Sequence, residues 1–188
     1  MKKVSLILSA LTIGFASFAA PKNTNVSTSK SSIVWLAKKV TGEHTGNVAI
    51  SKGNLIVDGS KLVGGNFQID LKKIVCLDIT DPEYNKKFIG HITSGDFFEV
   101  EKFPTANFVI TKVVGNQISG NLTIKGISKA ISFPATIAIK DGKVSAKASI
   151  TIDRTDFGIK YNSKKFFDTI GDKAIYDDFN LTVSLITE

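Results

Sequence analysis

The chain has 188 residues, 43% of them hydrophobic and 22% charged, with 24 Lys and Arg against 17 Asp and Glu for a net charge of +7. That is one domain's worth of chain, long enough for a sizeable single core. All basic residues but Arg154 are lysines, scattered singly or in pairs, which argues against a nucleic-acid reader, and a single Cys rules out a disulfide framework within the chain.

Lys2 and Lys3 precede an apolar run from Val4 to Phe18 that is too short to span a bilayer and gives way at once to Pro, Asn, Thr and Ser. The pattern is that of a secretory signal. Cleavage after Ala19 places the small residues Ser17 and Ala19 at the two recognition positions, whereas cleavage after Ala20 would place Phe18 and Pro21 at unfavourable ones. No Cys lies near the cut, so no lipoprotein anchor is indicated. The expected location is periplasmic or secreted. Residues 1–19 form the signal, 20–30 a flexible leader rich in Ser, Thr, Asn and Lys, and 31–188 the folded domain. Without Lys2 and Lys3, 22 basic side chains stand against 17 acidic ones, a net charge of +5. Cys76, alone in an exported chain, is expected to be a buried apolar residue.

Past the leader, apolar residues recur with period two. Strands are expected around Ile33 to Val40 and Val48 to Val57, then along Phe67, Ile69 and Leu71; Phe108 and Ile110; Ile118, Leu122 and Ile124; Ile131 to Ile139; Val144 to Ile152; and Phe179 to Leu185. The intervening positions, such as Ser145, Lys147, Ser149 and Thr151, are polar, so each strand has one wet face. Asp58-Gly59, Gly115-Asn116 and Asp141-Gly142 suit tight turns between antiparallel neighbours. Asp81 and Pro82 start a helix running to Ile89, with Phe88 and Ile92 facing the strands as a cap. The segment from Asn162 to Lys173 is expected to hold a second short helical turn, with Phe166, Phe167 and Ile170 as its apolar side. The expected fold is all-β, an eight-stranded antiparallel barrel with one or two short helices capping it.

An outer-membrane barrel shows the same alternation with its apolar face outward. Here the polar faces carry Lys125, Lys140, Lys147 and Asp153, no aromatic girdles flank the strands, and the chain ends in Ile-Thr-Glu, so the apolar face is read as the inside. Within it, Gly120, Ala135, Ala146 and Ala148 stand beside Phe67, Phe108, Phe133 and Phe179. Small against large fits a jigsaw-packed core and a cavity equally well.

Catalytic and metal patterns are thin. His44 and His91 lack the spacing of a ligand pair, there is no Gly-x-Ser-x-Gly elbow or phosphate loop, and Ser94 and Thr93 have no base, so neither an enzyme nor a metal site is expected. Arg154 stands out. Continuing Ile150 and Ile152 puts it on the inward face, where it needs Asp156, Asp70 or Asp178 as a partner; it either pins the late strand or awaits a ligand headgroup.

Two segments carry a resemblance. His91-Ile-Thr-Ser-Gly-Asp-Phe-Phe-Glu-Val-Glu-Lys-Phe-Pro104 and Ser119-Gly-Asn-Leu-Thr-Ile-Lys-Gly-Ile-Ser-Lys-Ala-Ile-Ser-Phe-Pro134 resemble the best-marked stretches of the YceI-like family, exported lipocalin-like barrels that hold long apolar molecules such as polyisoprenoids. Asp153 to Ile159 with Tyr161-Asn-Ser163, and Asp172 to Phe179, look like the family's late segments, so the likeness runs from about Ser31 to Thr187. It implies an open interior binding a long-chain apolar or amphiphilic molecule, a polyisoprenoid, quinone-like compound or fatty-acid derivative, for carriage or storage in the cell envelope. The alternative is an envelope stress or interaction protein with a filled barrel. Parity places Trp35, Phe67, Ile69, Phe108, Ile110 and Leu122 on the lining, with Phe133, Ile137, Ala148, Ile150, Phe179 and Leu181 opposite and Phe97 and Phe98 closing one end. His44, in Gly42-Glu-His-Thr-Gly46, and His91 match the family's pattern and join Arg154 as mouth or headgroup candidates. No cofactor beyond the bound lipid is expected, nor any nucleic acid; transient membrane contact and a monomer or homodimer complete the expectation.

Overall fold

In a computed structural model, residues 20–188 are described; the signal segment and its cleavage site lie outside them. The elements in chain order are β1 (Lys22–Asn25), β2 (Ser32–Lys39), β3 (Gly42–Asp58), β4 (Lys61–Cys76), α1 (Pro82–Thr93), β5 (Thr105–Val114), β6 (Gln117–Ile124), β7 (Ile127–Lys140), β8 (Lys143–Asp153) and β9 (Ile175–Ile186). From β2 onward each strand pairs antiparallel with its chain neighbour, and β9 returns to β2 through pairs such as Trp35 with Leu181. The result is a closed eight-stranded up-and-down barrel in which each of the eight strands is paired on both sides. Asp141 and Gly142 at the β7–β8 turn have φ of 51° and 74°, the left-handed pair of a two-residue hairpin.

Alternation gives the barrel two ends. The β3–β4, β5–β6 and β7–β8 turns form a hairpin end, and the opposite helix end carries α1 and the long 154–174 connection. Strands β3 and β4 are the longest, and register shifts near Asn47, Ile50 and Ile56 bend them around the barrel. Leu55, Val57, Leu62 and Val144 fill the hairpin end; Ile92, Val100, Phe157 and Ile159 fill the helix end.

The leader is not free chain over its whole length. Lys22 to Asn25 pair with Val57 to Asn54 as β1, along the part of β3 that the shorter β2 leaves uncovered, and Val26 bridges to Thr187. Thr24 and Val26, two residues apart, are both buried there, an alternation too short to stand out against the polar composition.

Helix α1 follows its start signal. The Asp81 carboxylate accepts from the Tyr84 N–H at 2.7 Å, Pro82 opens the first turn, and Phe88 and Ile92 point inward. The second expected helix is reduced to a 3-10 turn at Gly171–Lys173. Phe166 and Phe167 sit half exposed in a tight turn in which both their N–H groups donate to the Ser163 carbonyl, so they form no apolar helix face.

Candidate functional site: the barrel cavity

The strands enclose a cavity of about 220 Å³. Its wall comes from every barrel strand, with Phe88 and Ile92 of α1 and Phe97 and Phe98 at the helix end. Inward residues such as Ile50, Phe67, Phe108 and Leu122 are buried, whereas Ile69, Ile110, Ile137, Ala148, Ile150, Leu181 and Val183, which also line the void, are only half-buried. On β7 to β9, Thr136, Lys147, Ser149 and Thr182 carry the solvent face, so the surface left on Ile137, Ala148, Ile150, Leu181 and Val183 faces the void.

The twelve side chains that parity placed on the lining, from Trp35 to Leu181, face this cavity, and so do Phe97 and Phe98 at its end. Aromatic residues shape one wall: the Phe67 and Phe108 rings stack at 6.5 Å and Phe133 follows Phe108 at 5.6 Å. Gly120 makes room for this row, because a Cβ there would lie 2.5 Å from the Phe108 ring. Trp35 stacks on Phe88 at 6.3 Å and its indole N–H donates to the Val75 carbonyl, so the one Trp joins the cap helix to the wall. Ile33 and Ala37 share Trp35's parity and also line the space; Ile159 comes from an irregular segment in which no periodicity marks it.

Arg154 reaches the cavity wall, but its partner is not among the three expected. Strand β8 ends at Asp153, whose carboxylate accepts from the Thr155 N–H at 2.8 Å and hydroxyl at 2.6 Å, turning the chain into a 3-10 turn over Arg154–Phe157. Arg154 Nη2 then meets Asp177 at 3.2 Å and the Ile175 carbonyl at 3.0 Å, while Nε and Nη1 donate to the carbonyls of Tyr176 and Ile159. Burial pulls the guanidinium pKa down, and the charges of Asp177 and Asp153 oppose that.

A YceI-like domain model matches residues 23–186. The chain belongs to the YceI-like family. A UPF0312 protein of Pseudomonas putida strain W619 is 33% identical over 120 residues, 57% of this chain and 59% of that relative. A UPF0312 protein of Pseudomonas aeruginosa strain LESB58 is 38% identical over 81 residues, 37% of this chain and 42% of its own. The matches thus span less than two thirds of these curated relatives. Among solved structures, Burkholderia cenocepacia BcnA shares the fold with a TM-score of 0.69 at 22% identity, covering 87% of this chain and 99% of its own. A polyisoprenoid binding domain from Saccharophagus degradans does so at 0.64 and 12% identity, covering 89% and 99%.

In this YceI-like barrel the two marked segments meet. His91 to Pro104 ends α1 and folds over the helix end, Ser119 to Pro134 forms the β6–β7 hairpin, and Lys125 at its tip reaches the Gly95 carbonyl at 3.3 Å and Glu99 at 3.7 Å. The two histidines do not line the cavity. His91 Nε2 lies 3.2 Å from Asp96, with its ring edge-on to Phe97 and Tyr161. His44 Nδ1 lies 2.7 Å from Asp78, its ring against Phe88. Burial alone would raise the Asp78 pKa, but hydrogen bonds from the Thr45 N–H, His44 and Cys76 hold it at about 2. Cys76 is buried as expected, yet its thiol donates to Asp78 at 3.2 Å, and burial pushes its pKa up.

Proposed function

We propose that the chain is an exported carrier or store for a long-chain apolar or amphiphilic molecule of polyisoprenoid, quinone-like or fatty-acid type in the cell envelope. The cavity carries this reading. A filled barrel would bring inward side chains of facing strands into contact, whereas Ala148, Ile150 and Leu181 retain free surface toward the void. Family membership and the neighbour described as a polyisoprenoid binding domain support the ligand class. Each buried methylene contributes about 0.8 kcal/mol before ordering costs, so a chain of about 20 carbons needs no polar contact to be held, and selectivity rests on length and bulk. Arg154 spends four of its donor contacts on protein groups and is read as the clamp on β9 rather than a headgroup receptor; His44 and His91 are read as structural. The reading contains no catalytic step. Export rests on the signal pattern of residues 1–19.

A carrier must also meet a membrane, and charge is segregated along the barrel. Every ion pair among the described residues lies in the helix half, from Lys38–Glu43 to Lys165–Asp153. Around the hairpin end Lys22, Lys30, Lys61, Lys112, Lys140 and Lys143 form no ion pair and outnumber Asp58, Asp141 and Glu188. That end is the face proposed to touch anionic headgroups.

Native mass spectrometry of protein exported and purified without detergent tests the carrier reading. An apolar space in an envelope full of acyl and isoprenoid chains should be filled, giving an added mass that organic extraction releases as a chain of roughly 15 to 40 carbons. Apo protein that also takes up no polyprenyl phosphate, quinone or fatty amide would overturn it.

A further inference from the structure

His44, Cys76 and Asp78 converge at the rim of the barrel's helix end, where β4 hands over to α1, and none of the three lines the cavity. We propose that these three residues form a zinc-binding site. His44 Nδ1 is 2.7 Å from Asp78 Oδ2, Cys76 Sγ is 3.2 Å from Asp78 Oδ1, and one ligand atom from each residue lies within 4.8 Å of the others. Tetrahedral zinc, with bonds of about 2.3 Å to sulfur and about 2.0–2.2 Å to nitrogen and oxygen, holds its ligands about 3.3–3.7 Å apart. Small side-chain shifts bring the cluster to that spacing.

The donor set selects the ion. One imidazole, one thiolate and one carboxylate suit zinc, whereas calcium and magnesium take oxygen ligands. Supporting contacts are in place: the Thr45 N–H donates to Asp78 Oδ1 at 2.7 Å, leaving Oδ2 to turn to the metal, and the Phe88 ring, 4.6 Å away, fixes the imidazole plane. His44 and Asp78 keep 20% and 32% of their side-chain surface, which gives the ion a way in, and three protein ligands leave the fourth position to water. On binding, the Cys76 thiol proton goes to solvent and His44 coordinates through Nδ1 with its own proton on Nε2. The metal then takes over the links that the thiol and imidazole now make to Asp78. Because Asn85 of α1 donates to the Cys76 carbonyl at 3.0 Å and Phe88 lines the cavity, the ion would join β3, β4 and the cap helix.

Cobalt and zinc titrations of the mature protein test this, with the His91–Asp96 pair, which lacks a thiol, as the internal control. Cobalt should bind at one equivalent with a sulfur-to-cobalt charge-transfer band in the near ultraviolet, and zinc should bleach it. Cys76→Ser should lose the band and bind zinc at least tenfold more weakly by calorimetry, while His91→Gln leaves both unchanged. Excess zinc should raise the melting temperature of the parent and not that of Cys76→Ser, whose metal-free melt shows whether it folds. Absence of the band at saturating cobalt in the parent, zinc affinity unchanged in Cys76→Ser, or equal losses in His91→Gln would overturn the site.

Discussion

Arg154 and Asp177 meet at 3.2 Å where the chain leaves β8 beside the start of β9, with the guanidinium buried at the edge of the cavity. The same guanidinium satisfies the carbonyls of Ile159, Ile175 and Tyr176, so one side chain fixes where β9 begins. Arg154→Met removes all of these bonds and leaves Asp177 unpaired. A loss of about 2–4 kcal/mol is expected, less than for a fully buried pair because Asp177 keeps some solvent contact. Urea denaturation reads it as a lower midpoint at unchanged slope. A variant within about 1 kcal/mol of the parent would mean that Arg154 does not clamp β9.

Asp153 caps the turn that delivers Arg154, and its acidity makes that turn pH-dependent. Burial alone would raise its pKa, but bonds from Lys165 Nζ at 2.8 Å and from the Thr155 hydroxyl and N–H outweigh it and lower the pKa. A carboxylate whose pKa is lower folded than unfolded contributes stability that is complete above the unfolded value of about 3.9 and fades as pH falls through the folded one. Asp153→Asn should therefore be less stable than the parent at pH 7, with the gap narrowing as the pH falls below the unfolded carboxylate value of about 3.9. Thermal melts across that range check the sign; a gap that widened in acid would refute the assignment.

Ala148 faces the void from β8, cross-strand from Ala135 and Val183. Ala148→Phe adds a ring that points into the void. If the space is the binding site, uptake of a fluorescent long-chain probe should fall at least tenfold while the melting temperature barely moves. Destabilisation of about 1–3 kcal/mol, the usual cost of overpacking, would say that the interior tolerates no added volume.

Much of this architecture is legible in the chain because period-two alternation and hairpin turns are local signals. Ile131 to Ile139 and Val144 to Ile152 assign their own inward faces, and Asp81-Pro82 marks α1. What resisted reading depends on distant partners. The segment Lys22 to Asn25 becomes a strand only because β3 outruns β2, and Arg154, inward as its parity indicates, meets Asp177 rather than the expected carboxylates because the Asp153 carboxylate captures Thr155 and ends the strand there. The cluster of His44, Cys76 and Asp78 is likewise invisible in spacing, since 32 residues separate the first two and only the β3–β4 pairing, with Gly46 opposite Cys76, brings them together. Whether the interior is open follows from how side-chain volumes sum around a closed barrel, which no single strand reports.

The lysines of the hairpin end supply the remaining prediction. A triple variant, Lys61→Gln, Lys140→Gln and Lys143→Gln, removes three charges from the turns of that end, whereas Lys86→Gln, Lys87→Gln and Lys164→Gln removes three from the helix end at the same change in net charge. Each lysine close to an anionic surface contributes about 1 kcal/mol of attraction at low salt, and beyond a Debye length that attraction is screened. Sedimentation with phosphatidylglycerol-containing vesicles should therefore fall at least tenfold for the hairpin-end variant and much less for the other. Neither should bind vesicles of phosphatidylcholine alone, and raising the salt should abolish binding by the parent. Equal losses in the two variants would mean that overall charge, not its placement, governs the contact, and the hairpin end would lose its claim as the docking face.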